Sequence, residues 1–167
     1  MLNLDCSFKY DGLKYAGYDI VFQEVPDEIS LAINVTNCPH HCAGCHSEYL
    51  ALDFGNYISN DIESMLDKHK GLITCVCFMG GDQNIIDLID LLRYVKSKNL
   101  KTCVYSGVDD VHIFDEVFNL LDYLKIGHYD SSLGGLSSKN TNQKFYKIEH
   151  DNQGKSKLIL MNERFVK

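Results

Sequence analysis

Apolar and polar positions change their period several times along the chain, and each change marks an element. Tyr18-Asp19-Ile20-Val21-Phe22-Gln23-Glu24-Val25 alternates in part and predicts a strand in an otherwise extended, irregular stretch over 1–30. Leu31-Ala32-Ile33-Asn34-Val35-Thr36 predicts a second strand, which runs straight into a cysteine-rich stretch. Ile62, Met65, Leu66 and His69 fall on one helical face; Asn60 and Glu63 have the spacing of a capping box ahead of it, and Gly71 supplies a stop. Residues 72–79 are almost continuously apolar, as in a parallel strand covered on both faces, and Gly80-Gly81-Asp82 ends them. Ile85, Leu88, Ile89, Leu92 and Val95 form a stripe that predicts a helix over 84–98. A strand over 100–105 closes at Ser106-Gly107. Asp110 can cap a helix carrying Ile113, Val117, Leu120 and Leu121, and 123–126 follows as a strand. Residues 128–143 are rich in turn formers, and 157–161 predicts the last strand.

Strand and helix alternate from 31 to 126, which argues for a parallel sheet with right-handed crossovers. A complete eightfold barrel takes about 250 residues, and the chain has 167. The expected fold class is therefore α/β, a partial (incomplete) TIM-like barrel with a mostly parallel sheet. One domain over 1–167 is expected: an N-terminal extension (1–30), a βα core (31–126) holding the cysteine loop (38–45), and a C-terminal segment (127–167).

Composition narrows the function classes. Apolar residues make up 45% and charged residues 23%, with a net charge of −7. Disorder is excluded, and an acidic chain is a poor grip for phosphate backbones, so no nucleic-acid partner is expected. No stretch approaches the ~18 apolar residues of a membrane span, so no membrane association is expected. Residues 1–6 lack a basic segment followed by an apolar run; no secretory signal is read there, and a cytoplasmic setting is expected.

Three of the seven cysteines fall in Cys38-Pro39-His40-His41-Cys42-Ala43-Gly44-Cys45. In that setting clustered thiols read first as metal ligands rather than as a disulfide framework. A loop this short, with C-x3-C-x2-C spacing after a strand, can wrap a small inorganic cube so that three sulfurs reach three irons. Ferredoxin-type runs supply four cysteines to each cluster; three leave one iron open for a ligand. The alternative is a zinc-stabilised, non-catalytic binding module with His40, His41 or His46 as the fourth ligand, although zinc sites ordinarily draw on a second cysteine pair. Cys75, Cys77 and Cys103 read as buried structural thiols, since strand-borne cysteines cannot wrap a cluster as a loop does; Cys6 is a further scattered thiol.

The spacing C-x3-C-x2-C after the first core strand, followed by Gly80-Gly81-Asp82 after the second, resembles the radical S-adenosylmethionine superfamily. That resemblance implies one [4Fe–4S] cluster held by Cys38, Cys42 and Cys45. The fourth iron would bind the amino and carboxylate groups of S-adenosyl-L-methionine, and one electron would cleave the sulfonium. Gly80, Gly81 and Asp82 would hold the methionyl part, and Gly44, Cys45 and His46 would contact the cofactor. Within the superfamily, the short chain, Cys42-Ala43-Gly44-Cys45, Asp82, and the tail with Gly127-His128-Tyr129, Leu133-Gly134-Gly135-Leu136 and Thr141-Asn142-Gln143 resemble the activating proteins of anaerobic ribonucleoside-triphosphate reductase. The implied reaction is formation of a glycyl radical on the large subunit of that reductase, with an electron donor such as flavodoxin or ferredoxin. An activase of another glycyl radical enzyme, such as pyruvate formate-lyase, is the alternative within this class. Gln83 and His46 depart from the proline and tyrosine common at those places.

Other positions stay open from sequence. Tyr105-Ser106-Gly107 borders the ligand or forms a plain turn. Lys125, His128 and Asp130 either line the site or are ordinary surface and structural residues. The segment 133–143 is either a docking element for the partner or a loop without consequence.

Overall fold

The computed structural model describes residues 12–167; Cys6 and the stretch read for an export signal lie outside them. Eight strands form one sheet among the described residues. They are β1 (Lys14–Val21), β2 (Ser30–Val35), β3 (Asn56–Tyr57), β4 (Cys75–Met79), β5 (Lys101–Tyr105), β6 (Tyr123–Ile126), β7 (Lys144–His150) and β8 (Ser156–Leu160). Helix α1 (Ile58–Lys68) precedes β4 and helix α2 (Ile85–Ser97) precedes β5; 3-10 turns occupy Glu48–Ala51, Val111–Leu120 and Asn162–Arg164.

The sheet order is β3-β1-β2-β4-β5-β6-β7-β8. Only β2, β4, β5 and β6 run parallel to one another. β1 pairs antiparallel with both β2 and β3, and β7 pairs antiparallel with both β6 and β8. The expected partial TIM-like barrel with a mostly parallel sheet is therefore incorrect: the fold is a mixed sheet with two edges, β3 and β8. The physical reason lies in the connections. A barrel needs a helix after each strand, but here the β5–β6 crossover is a 3-10 run, and the chain after β6 turns and comes back as a hairpin.

Helices and sheet meet on one face. Ile58, Ile62, Met65 and Leu66 of α1, and Leu88, Leu91, Leu92 and Val95 of α2, are buried against Ile33, Val76, Phe78, Val104 and Leu124. The opposite parity of the same strands puts Cys75, Cys77, Cys103 and Tyr123 on the other face, under Val25 and Phe145. All three of those thiols are fully buried, as small apolar side chains would be.

Local signals held where they were strong. α2 starts after Asn84, whose side chain accepts from Asp87 N (3.1 Å). α1 differs from expectation: it begins at Ile58, with Asn60 inside the helix and no side-chain cap. Its entry is set by tertiary structure, since Ile58 N donates to Leu13 O and the Ile58 side chain is buried. Asp110 does cap the segment after it, accepting from His112 N, but the backbone winds as a 3-10 helix.

Candidate functional site

β2, β4, β5 and β6 all point their carboxyl ends the same way, where open α/β sheets collect ligand sites. The cysteine loop leaves β2 at this end. Asn37 takes a left-handed conformation (φ 59°), and the amides of Asn37 and Cys38 donate to Leu52 O and Leu50 O, which anchors the loop's start. Cys45 N donates to Cys42 O, with a reversal at His41 (φ 47°) just before that turn and another at Gly44 (φ 73°) inside it. Ser47 N donates to Cys45 Sγ at 3.4 Å. Burial raises the pKa of the Cys38 thiol.

A cavity of about 260 Å³ lies between this loop and the strand ends. Cys38, Cys42 and Cys45 line it together with His46, Gly80 and Asp82, so six predicted positions meet in one place. Gly44 and Gly81 do not line it. Gly44 packs beside Tyr129 and Ser131, and a side chain on Gly81 would face Leu88 Cδ1 (3.2 Å) and Leu13 Cδ1 (3.4 Å) in the core. The backbone at Gly80 and Gly81 (φ 125° and 120°) is a conformation only glycine enters readily.

The cavity has further walls that the sequence left open or did not single out. Tyr105, Ser106 and Gly107 border it, as do Lys125, Tyr129 and Gln143. Lys125 is buried; its ammonium donates to Gly127 O (2.8 Å) and Ser106 O (3.4 Å) and stands over the Tyr105 ring. Burial pulls its pKa down to about 8, against the opposing pull of Cys42 and Cys45. Gln83, the departure from proline, has a role of its own: Nε2 donates to Thr36 O (2.8 Å) and Oε1 accepts from Gly81 N (3.1 Å), tying the end of β4 to the end of β2. His128 and Asp130 stay outside the cavity. His128 pairs with Asp109 at 2.9 Å, and Asp130 closes a local turn through Ser132. The tail segment nonetheless lies beside the cysteine loop, with the rings of His46 and Tyr129 at 5.9 Å.

A family model described as a 4Fe-4S single cluster domain matches residues 29–148, which takes in the cysteine loop, the cavity walls and β2 to β6. The chain belongs to the 4Fe-4S single cluster domain family. No curated protein matches it.

The donor set suits the cluster that gives the 4Fe-4S single cluster domain its description. Three half-buried thiols on one loop line a common cavity, and they line a second one of about 270 Å³ with Glu48 and Ala51. Among the described residues no three His, Cys, Asp or Glu side chains are arranged to hold a single metal ion. His40 Nε2 donates to Asp82 Oδ2 at 2.6 Å. No helix among the described residues is long and apolar enough to cross a membrane.

Proposed function

We propose that the protein is a cytoplasmic radical S-adenosylmethionine activase that generates a glycyl radical on anaerobic ribonucleoside-triphosphate reductase. Cys38, Cys42 and Cys45 would hold one [4Fe–4S] cluster, which when bound supplies the electron for reductive cleavage of S-adenosylmethionine. The observation that carries this reading is the number and company of the thiols. Three cysteines, not four, face a cavity that also holds a carboxylate, Asp82, and a buried ammonium, Lys125. The remaining described cysteines are sealed in the core, so one iron would be left for an outside ligand. A ligand carrying both an amine and a carboxylate finds an acceptor by the end of β4 and a cation on β6, two strands away across β5.

The chain's own part is to bind, orient and shield. Asp82 would accept from the methionyl amine, and Gly80 would let the ligand approach the backbone of β4. His46 would contact the cofactor from the loop, Gly44 would keep the reversal that brings Cys45 into place, and Gly81 would keep the turn that does the same for Asp82. Tyr105 presents an apolar ring to the cavity and directs its hydroxyl away, to Glu24 O. The protein need supply no acid or base, because the cofactor makes the radical and the fold positions it. The electron donor would be a flavodoxin or ferredoxin. The tail beside the loop would meet the reductase.

The test is anaerobic. Protein reconstituted with iron and sulfide is reduced, given S-adenosylmethionine and mixed with the reductase large subunit. A glycyl radical doublet in the paramagnetic spectrum, dependent on all components, is the expected outcome. Cofactor cleavage with no radical on the reductase but one on pyruvate formate-lyase would reassign the partner. A colourless, zinc-loaded protein without cleavage would overturn the class.

A further inference from the structure

We propose that His40 is a positioning residue: it grips one oxygen of the Asp82 carboxylate and thereby presents the other to a cationic group of the ligand in the cavity. His40 stands in the cysteine loop, two residues after Cys38, and Asp82 stands 42 positions later at the end of β4. Their bond is short, 2.6 Å, and largely covered, with side-chain exposures of 19% and 6%. The other Asp82 oxygen makes no hydrogen bond to any described residue.

The third member of the assembly is Gly107, just beyond β5. A Cβ built there would lie 2.6 Å from His40 Cγ and 2.7 Å from Cδ2, so the ring occupies the space that any other residue would fill. One imidazole thus joins the cysteine loop, the end of β4 and the end of β5, and all three residues line the cavity. Asp82 needs such a hold. It follows two glycines in left-handed conformations, which supply no side chains to fix its rotamer. A carboxylate only accepts hydrogen bonds, so the ligand group it serves is a donor, and a charged amine gains most. With the rotamer fixed beforehand, less ordering is left to be done when the ligand binds.

This rests on the S-adenosylmethionine reading and is tested by binding rather than turnover. Reconstituted, reduced wild-type protein and variants are titrated with S-adenosylmethionine, and the cluster's paramagnetic spectrum gives the Kd for loaded chains. His40→Phe keeps a ring over Gly107 but has no donor; His40→Gln keeps a donor. The phenylalanine variant should bind about ten- to a hundredfold more weakly, the range seen when an outer-shell partner is lost, at unchanged iron content. The glutamine variant should recover most of the affinity. Asp82→Asn should weaken binding too, and adding His40→Phe to it should change nothing more, because His40 acts through Asp82. Wild-type binding in His40→Phe, equal losses in the two His40 variants, or multiplying effects in the double variant would each overturn the proposal. A loaded wild-type protein that does not bind S-adenosylmethionine at all would overturn the cofactor reading and this inference with it.

Discussion

Lys125→Met should make the iron-free protein more stable at neutral pH, and the gain should vanish in alkali. Lys125 is 8% exposed and has no carboxylate partner among the described residues; two backbone carbonyls are its acceptors. Burial takes its pKa from 10.5 to about 8. At about 1.4 kcal/mol for each of those roughly 2.5 pH units, keeping the ammonium buried costs about 3–4 kcal/mol. Below pH 8 the group is charged in folded and unfolded chains alike, and the full cost is present. Between pH 8 and 10.5 the unfolded chain binds more protons, so the wild type gains stability as pH rises. Methionine fills similar volume without a charge, and loss of the two carbonyl contacts offsets part of the gain. Urea unfolding of both iron-free proteins at steps from pH 7 to 10.5 gives the difference directly. A variant less stable at pH 7, or a difference that does not narrow through this window, would show that the buried Lys125 charge does not cost the fold stability. In the loaded protein the sign of the role changes: the ammonium offsets thiolate charge, so the same substitution should lower the cluster's midpoint potential by an amount on the order of tens of millivolts.

Further outcomes follow from the same geometry. Cys38→Ala, Cys42→Ala and Cys45→Ala should each abolish S-adenosylmethionine cleavage and leave a labile cluster, whereas Cys75→Ala and Cys103→Ala should keep iron content and absorbance; loss of about half the iron in Cys75→Ala would contradict a single cluster. Glu28→Ala should destabilise the fold by about 3 kcal/mol in thermal or urea unfolding, because this buried carboxylate accepts from Thr74, Lys101 and Tyr123 at the far end of the sheet; a change below about 1 kcal/mol would show the network to be dispensable. Replacing 131–138 by a short Gly/Ser linker should spare uncoupled cofactor cleavage and sharply reduce radical formation on the reductase. Unchanged rates of both would remove the segment from docking, and loss of both would assign it to the site or the fold.

What could be read from sequence follows the range of the forces involved. The cysteine loop was legible because its signal is local: three thiols at fixed spacing after an apolar strand. The parallel strands and α2 were legible because their apolar runs and stripe are set by burial on the helix face. The barrel expectation failed because β7 was not foreseen. Lys144, Lys147, Glu149 and His150 make that strand read as polar, and only Phe145 and Ile148 are buried in it. The capping box at Asn60 was overridden by the contact between Ile58 and Leu13. Within the site, Asp82 and Gly80 were found through their place at a strand end. The bond from His40 to Asp82, the close approach of Gly107 and the burial of Lys125 have no local signature, since each joins segments that only the sheet brings together.

Whether the cluster keeps one iron open to the cofactor is tested by electron–nuclear double resonance of the reduced, reconstituted protein given S-adenosylmethionine labelled with 15N at the methionyl amine. If three cysteines leave one iron open to the cofactor, a 15N coupling to the cluster should appear on addition. It should disappear on replacing the labelled cofactor with unlabelled material, and it should be absent from Cys42→Ala. A stable, fully loaded cluster whose spectrum shows no nitrogen coupling and no change with the cofactor would contradict the account.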